Sequence, residues 1–391
     1  MKQNNWFDPF YIFDNLSEEE MQIQKNIREF CDKELRPKVV YNNLNYKFDK
    51  KLFQLFGSIG VLGQTMNSHG GADTNNVAYG LTAYELEKID SSYRSSISVQ
   101  SSLVIHPISN FGSEEQKDKY LPDLINGEKI GCFGLTESEA GSDPSSMKTT
   151  YKKTLKGYVL NGIKNWITNA PIADVFIIWA LSENLEKDSI KGFILEKSFS
   201  GLSTSLIENK ASLKISPTGQ IMLDNVIVPL ENLLPKTTGW KSVFSCLNKA
   251  RYGISWGALG AASECWLIAK EYSENRIMFK KPLATKQLIQ KKLADMQTEI
   301  NIALSSCVLT GREIDKNNDT KIAVSILKRN NCKKAINIVR NARDILGANG
   351  LLEENHIMRH LVNLETVKTY EGTEDIHALI LGSNQTKLSA F

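Results

Sequence analysis

The residues with the clearest potential for chemistry lie near the C-terminus, in the run Tyr370-Glu371-Gly372-Thr373. Thr373 and the acidic residue after it have the pattern of a helix N-cap followed by an acidic first turn. Glu371 is therefore predicted to lie in a short loop directly before a helix. Burial among apolar neighbours raises the pKa of such a carboxyl group, which suits a base that removes a proton from carbon. The alternative is a solvated glutamate that stabilises the helix N-terminus, and this run alone does not decide between them.

A second candidate is Arg94, which lies in the Ser-rich stretch at residues 90–102. A helical arginine is commonly solvated or paired one turn earlier, here with Asp90. A buried arginine in the same place would instead need an anion, because an unpaired buried cation is costly. Both interpretations remain open from these residues alone.

Three further patterns have structural explanations. Residues 253–257 (GISWG) match the Gly-x-Ser-x-Gly pattern of serine hydrolases, but they lie in an apolar, Ala-rich run that predicts a helix. Small residues for close helix packing explain these glycines. Residues 347–350 (GANG) follow a predicted helix, which indicates a helix C-cap, although backbone N–H groups in such a turn also bind pyrophosphate. His356 and His360 share a helical face without a third ligand, so no metal site is predicted.

The composition argues against several classes of function. The 391 residues carry a formal net charge of +3 with no long basic run, so no nucleic-acid partner is predicted. No stretch approaches the ~18 consecutive apolar residues of a membrane span, and the N-terminus lacks the apolar segment of a signal peptide. The six cysteines contain no Cys-x-x-Cys pair, which indicates reduced thiols and a cytoplasmic location.

The hydrophobic pattern changes twice along the chain and predicts three domains. Residues 1–131 have helical patterns, whereas residues 132–235 contain short β-branched and aromatic runs with a β-hairpin predicted at Asn161-Gly162. Residues 236–391 return to a helical period, which is clearest at residues 289–307. The fold is therefore predicted to be α+β, with an N-terminal helical domain, a middle β-barrel or sandwich and a C-terminal four-helix bundle.

The helical–β–helical order and a series of short motifs together resemble the acyl-CoA dehydrogenase family over essentially the full chain. Each motif is weak by itself, whereas their occurrence in the same order is specific. The motifs are residues 131–137 (GCFGLTE), 140–144 (AGSDP), 164–169 (KNWITN), Arg276 with Phe279 and Pro282-Leu283, Gln287-Leu288, Leu346-Gly347 and residues 370–373 (YEGT). The resemblance implies that the chain binds FAD and forms a homotetramer.

The same resemblance implies two groups of FAD-binding residues and a few that depart from the family pattern. The middle domain would surround the flavin ring with Phe133, Leu135, Thr136, Trp166 and Thr168. A neighbouring subunit would hold the phosphates and adenosine with Arg276, Phe279, Gln287, Gly347 and Gly350. Ser142 would lie near the pyrophosphate and the CoA, and Thr373 would add a flavin contact. Without the family, Trp166 and Phe133 are equally well explained as barrel core. The departures are Lys280, Asp344 and Ala348.

The resemblance makes Glu371 the expected base, which would remove the α-proton of an acyl-CoA thioester while a β-hydride passes to the flavin. Some relatives carry the base directly before Arg251 instead. That position is Ala250 in this chain, which cannot titrate, so Glu371 has no rival there.

The stretch around Arg94, with Tyr370, resembles the branch of the family that acts on glutaryl-CoA. In that branch the arginine binds the distal carboxylate of the substrate, and the adjacent serine, here Ser95, assists. Glu87 is predicted to lie on the same helix as Arg94 and to complete a polar network. The further substrate contacts that the resemblance implies are Ser142, Arg251 and Tyr370.

The reaction implied is oxidative decarboxylation of glutaryl-CoA to crotonyl-CoA and CO2, with electrons passed to an electron-transfer flavoprotein. Residues 6–9 (WFDP) with no transit peptide resemble the bacterial form of this branch. One alternative is a dehydrogenase that releases glutaconyl-CoA without decarboxylation. An acyl-CoA oxidase is disfavoured because the extra C-terminal domain of those enzymes is not found. A non-catalytic assembly factor on the same scaffold is disfavoured by the presence of Glu371, Arg94, Trp166 and Thr168.

Overall fold

The computed structural model describes residues 6–186 and 189–390. The first five residues, for which the sequence predicts no targeting segment, lie outside the described residues. Helices precede and follow a block of strands, so the predicted helical–β–helical order is confirmed. Within the described ranges, no helix has both the length and the apolar character needed to cross a membrane.

The N-terminal helices pack around a shared apolar core that includes Phe53, Phe56 and Leu121. These helices are α1 (Glu18–Phe30), α2 (Val39–Leu44), α3 (Leu52–Ser58), α4 (Asn76–Ile89), α5 (Ser91–Ser98), α6 (His106–Phe111) and α7 (Glu114–Ile125). A π-helical segment, Val99–Ile105, joins α5 to α6. The Ser-rich stretch thus continues through this junction in helical form.

Asp90 separates α4 from α5, so the prediction that Glu87 and Arg94 share one helix is wrong. The backbone of Asp90 is extended (φ −165°, ψ 140°), and its side chain caps α5 by accepting a hydrogen bond from the N–H of Ser92. Its second oxygen accepts a hydrogen bond from Arg359 at 2.9 Å. Asp90 therefore caps α5 and binds Arg359. Arg94 pairs with Glu87 across the junction between α4 and α5.

The middle of the chain forms a seven-stranded sheet in the order β1-β4-β2-β3-β7-β6, with β5 paired to β4. The strands are β1 (Gly131–Gly134), β2 (Thr150–Thr154), β3 (Gly157–Thr168), β4 (Val175–Ser182), β5 (Lys191–Glu196), β6 (Leu202–Leu206) and β7 (Thr218–Val228). β1 and β2 run parallel to β4, and the remaining pairs are antiparallel. A compact core that includes Phe176 and Phe193 fills the space between the strands.

The predicted hairpin turn at Asn161-Gly162 is wrong, because both residues lie inside the continuous strand β3. Gly162 has φ 148° at an irregularity in the β3–β7 pairing. A Cβ atom there would lie 2.4 Å from Oγ1 of Thr149, so the glycine allows a close approach instead of a turn. The hairpin between β2 and β3 closes six residues earlier, at residues 155–156, where Thr154 pairs with Gly157.

The C-terminal helices pack into a bundle against α4. They comprise α8 (Trp240–Asn275), α9 (Gln287–Asp315), α10 (Lys321–Leu346), α11 (Ile357–Thr369) and α12 (Glu374–Thr386), with a short hairpin of β8 (Ile277–Met278) and β9 (Lys281–Pro282) after α8. The Gly-x-Ser-x-Gly motif lies within α8, which confirms the helix-packing explanation of its glycines. At Gly253, for example, a Cβ atom would lie 2.7 Å from the hydroxyl of Tyr79 on α4.

Candidate active site

Glu371 lies in the loop between α11 and α12, in a backbone conformation that residues other than glycine rarely adopt. Its φ is 53°, and that of Gly372 is 101°. Tyr370 ends α11, and its N–H donates to a carbonyl of that helix at 2.9 Å. Thr373 begins α12 by accepting a hydrogen bond from the N–H of Ile376 at 3.2 Å, which confirms the predicted N-cap. The loop is thus fixed at both ends.

Two buried basic side chains bind the carbonyl groups of this loop. Nε of Arg251 on α8 donates to the carbonyl of Glu371 at 2.7 Å. Nζ of Lys328 on α10 donates to the carbonyls of Lys368 at 2.9 Å and of Gly372 at 2.6 Å. The bonds bracket Glu371 and account for the stability of its unusual backbone conformation.

The carboxyl group of Glu371 is placed to act near neutral pH. Its Oε2 atom is buried and has no hydrogen-bond partner among the described residues. Burial raises the pKa of Glu371 to about 7, and the positive charges of Arg94, Arg251 and Lys328 limit this rise. A carboxyl group with this pKa can accept a proton from carbon and return it later in the same reaction.

Arg94 is buried on α5 beside this loop, with a relative exposure of 2%. Nε donates to Oε2 of Glu87 at 2.5 Å, and Nη2 donates to the hydroxyl of Tyr370. Glu87 in turn accepts a hydrogen bond from Ser91 at 2.8 Å. The geometry excludes the alternatives of a solvated Arg94 and of a pair with Asp90. The guanidinium is instead fixed next to the residue that precedes Glu371.

The other substrate-binding residues implied by the sequence lie in different settings. Ser95 is buried directly after Arg94, and Arg251 is buried on α8. Ser142 is exposed in the loop that follows β1, and no hydrogen bond joins it to Glu371 among the described residues. Arg94, Arg251, Tyr370 and Glu371 thus form one cluster to which Ser142 does not belong.

A buried ion pair aligns the loop after β1 with β3. Nζ of Lys164 donates to Oε1 of Glu137 at 2.9 Å and to the carbonyl of Leu135 at 3.0 Å. The N–H of Asn165 donates to the carbonyl of Thr136 at 2.8 Å. Burial lowers the pKa of Lys164 to about 8, and Glu137 opposes this shift. The contacts hold Leu135 and Thr136 beside Lys164 and Asn165.

Trp166 lies at an irregularity of β3 with φ 61°, between the buried residues Lys164 and Ile167. Its relative exposure is 58%, so it is not part of the barrel core. Phe133 is buried at 7%, with its ring 6.1 Å from that of Trp179, and Thr168 is half-buried. The exposed indole therefore offers a flat apolar surface near the C-terminal end of β3.

Comparison with known proteins identifies the family. Three family models match the chain: the acyl-CoA dehydrogenase N-terminal domain at residues 17–128, the middle domain at residues 132–226 and the C-terminal domain at residues 237–385. The chain belongs to the acyl-CoA dehydrogenase family. It is therefore an oxidoreductase that oxidises acyl-CoA thioesters with FAD as cofactor.

The similarity to individual acyl-CoA dehydrogenases extends over nearly the whole chain. An acyl-CoA dehydrogenase of Bacillus subtilis is 33% identical over 370 residues, covering 94% of this chain and 98% of that protein. The structure of a glutaryl-CoA dehydrogenase from Mycobacterium smegmatis in complex with FADH2 gives a TM-score of 0.95 at 40% identity and covers 98% and 100% of the two chains. Butyryl-CoA dehydrogenase from Megasphaera elsdenii gives 0.91 at 32% identity, covering 95% and 99%.

The residues of the middle domain fit the cofactor of an acyl-CoA dehydrogenase. The exposed indole of Trp166 matches a planar isoalloxazine ring, which would cover an otherwise solvated apolar surface. At Gly141 a Cβ atom would meet nothing within 4 Å, so the backbone of the loop beside Ser142 is open to a ligand. The contact of Trp166, Thr136 and Thr168 with the ring remains a prediction.

The second group of predicted FAD-binding residues lies far from Glu371 within one chain. Arg276 follows the last residue of α8, 25 positions beyond Arg251 on the same helix, which corresponds to roughly 37 Å. Phe279 is 83% exposed, Gln287 is exposed at the start of α9, and Gly347 with Gly350 forms the turn after α10. Their contribution to the FAD site of a neighbouring subunit remains a prediction.

Lys328 and Lys164 were not identified from the sequence, although a signal was present. Lys328 lies on the apolar stripe of α10, four residues after Val324 and four before Cys332, where a charged side chain is unexpected. Lys164 lies at a buried position of β3. In both cases a lysine at a buried position indicates a specific partner.

Proposed function

We propose that this acyl-CoA dehydrogenase oxidises and decarboxylates glutaryl-CoA to crotonyl-CoA and CO2, with Glu371 as the catalytic base. The observation that carries the proposal is the buried Arg94, which is bonded to Tyr370 beside the base. A site for an apolar acyl chain has no use for a buried guanidinium, because desolvating an ion is costly. A dicarboxylic acyl chain supplies a matching anion.

The charge of the site supports an anionic acyl group. Arg94, Arg251 and Lys328 all act on the pKa of Glu371, whereas Glu87 offsets Arg94 alone through its ion pair. With Glu371 protonated, the three cations and Glu87 together carry a formal charge of +2. Tyr370, which binds Arg94, directly precedes Glu371 in the sequence. An acyl group of a few carbon atoms is therefore long enough to reach from the base to the guanidinium.

Glu371 performs both proton transfers in the proposed reaction. It first removes the α-proton of the thioester. FAD, when bound, supplies the acceptor for the β-hydride. The bond between the γ-carbon and the distal carboxylate then breaks and CO2 leaves. The electron pair of the broken bond passes into the conjugated thioester. The protonated Glu371 returns its proton to the γ-carbon, which gives crotonyl-CoA.

Ser95 and Ser142 complete the proposed substrate contacts, with Arg251 holding the loop of the base. We assign electron transfer to an electron-transfer flavoprotein, and we place a homotetramer in the cytoplasm, with Arg276, Phe279 and Gln287 of each subunit reaching a neighbour's FAD. The exposure of these three side chains in a single chain supports that assignment.

The test is to incubate purified holoenzyme with glutaryl-CoA and an artificial electron acceptor, and to identify the product by mass spectrometry. We expect crotonyl-CoA. Glutaconyl-CoA as the sole product would favour the alternative of a dehydrogenase without decarboxylation. Turnover of butyryl-CoA without turnover of glutaryl-CoA would overturn the role of Arg94.

A further inference from the structure

Lys328 is a buried lysine beside the base that, like Arg251, binds backbone carbonyls. Its relative exposure is 1%, and its ammonium donates to the carbonyls of Lys368 and Gly372. Within residues 6–186 and 189–390, no carboxylate lies within 4.0 Å of its Nζ atom. A lysine buried in this way is costly, so the two carbonyl bonds require an explanation.

The backbone around Glu371 needs such bonds. The carbonyl of Lys368 is among the last of α11, which have no partner within the helix. The left-handed conformation of Glu371 (φ 53°) is unfavourable for a residue with a side chain unless its surroundings impose it. Lys328 binds on both sides of Glu371, and Arg251 binds the carbonyl between them. Two cations from two helices thus define the position of one side chain.

Resting on the proposed function, we propose that Lys328 is a positioning residue for the catalytic base. Its two hydrogen bonds hold the loop that carries Glu371, and its charge faces the carboxyl group from α10. An ammonium group fits this task because it has three donors and no acceptor. Loss of the hydrogen bonds should lower kcat, whereas loss of the charge should shift the pH profile. Together the two changes distinguish a positioning role from packing alone.

Several titratable groups besides Lys328 surround Glu371, and they stay unchanged in the test. The groups that face this region from the packed elements are Tyr79 and Glu87 on α4, Arg94 on α5, Arg251 on α8, Cys332 on α10, His377 on α12 and the adjacent Tyr370. Burial lowers the pKa of Lys328, and the charge of Glu371 opposes that shift. Removing the ammonium therefore removes a charge that favours the ionised form of Glu371.

The experiment compares Lys328→Met with Lys328→Gln in the holoenzyme. The methionine keeps the apolar stem and loses both the donors and the charge, whereas the glutamine keeps donors without charge. The control is Lys333→Met on the same helix, because Lys333 is exposed and bonds Glu374 outside the loop carbonyls. FAD content and unfolding by urea are measured for each variant, so that a folding defect is recognised.

We expect kcat for glutaryl-CoA to fall by about 10- to 100-fold in Lys328→Met, with a smaller change in KM, because the base is misplaced. The acidic limb of the pH profile of kcat/KM, which reports Glu371 in the free enzyme, should move to higher pH in both Lys328 variants. The glutamine variant should regain part of kcat, and Lys333→Met should behave as wild type.

The outcome separates this inference from the proposed function. Glu371→Gln is measured in parallel, and substantial turnover in that variant would refute the base itself. If Glu371→Gln is inactive while Lys328→Met keeps the wild-type kcat and pH profile, the positioning role is refuted and the base stands. A fall in kcat with an unshifted pH profile and no rescue by glutamine would assign Lys328 to packing alone, which also overturns the inference.

Discussion

Gly257 on α8 leaves the space in which Glu87 and Arg94 form their ion pair, and Gly257→Ala tests the role of that pair in substrate selection. A Cβ atom at this position would lie 2.0 Å from Oε2 of Glu87 and 3.0 Å from Nε of Arg94. Carbon and oxygen atoms need more than 3 Å, so the carboxylate must move by about 1–1.5 Å. The 2.5 Å hydrogen bond between the two side chains cannot survive that shift.

The expected change in protein stability is the difference between two opposing effects. A hydrogen bond between charged groups contributes about 1.5–3 kcal/mol, whereas alanine is favoured over glycine in a helix by about 1 kcal/mol. Protein stability should therefore fall by only about 0.5–2 kcal/mol. The misplaced guanidinium should reduce kcat/KM for glutaryl-CoA by the full 1.5–3 kcal/mol, which is about 10- to 150-fold.

The assay compares kcat/KM for glutaryl-CoA and butyryl-CoA with an artificial acceptor. Butyryl-CoA has no distal carboxylate, so its rate should change by less than about threefold. Gly382→Ala on α12 is the matched control, because a Cβ atom there would meet nothing within 4 Å. A similar loss on both substrates would show that the ion pair serves folding, and an unchanged rate on both would show that it does not orient Arg94.

Two further predictions concern the flavin edge and the base. Trp166→Ala should lose most of its bound FAD, measured by the ratio of flavin to protein absorbance. The free energy of unfolding of the FAD-free protein should change by less than about 0.5 kcal/mol, because the residue is 58% exposed. An equal FAD content would contradict the assigned contact. Glu371 has a pKa raised from 4.5 to about 7, so the folded state keeps a proton that the unfolded state loses, and stability falls as pH rises through this window. Glu371→Gln should raise the free energy of unfolding by on the order of 1–3 kcal/mol at pH 8 and by almost nothing at pH 4 in urea titrations; equal gains would refute the shift.

The order of the domains could be predicted from the sequence because hydrophobic periodicity is a regional signal. The helical spacing at residues 289–307 continues through α9, where many positions agree on one buried face. The hairpin prediction at Asn161-Gly162 depended on two residues alone. A glycine is needed at position 162 because Thr149 lies too close for a Cβ atom. The residues around Gly162 in the sequence do not reveal this contact.

The residues of the candidate site likewise divide into those that the sequence indicated and those that it could not indicate. Motifs indicated Glu371 and Arg94, and the structure places both in one cluster. The break between α4 and α5 could not be predicted, because Asp90 is held by Arg359 and Asn363, which are more than 260 residues away in sequence. Lys328 acts through backbone carbonyls, and hydrogen bonds of this kind do not depend on the identity of the partner residue.

The arrangement of charges has a consequence for the order of events in the proposed reaction. Arg94 lowers the pKa of Glu371 even though its ion pair with Glu87 offsets part of its charge. A distal carboxylate bound to Arg94 offsets this charge, so the pKa of Glu371 rises when the substrate binds, and the proton taken from the α-carbon is held more firmly. Departure of CO2 removes the anion and restores the effect of Arg94. The pKa of Glu371 then falls, which favours transfer of its proton to the product at the step where the reaction requires it.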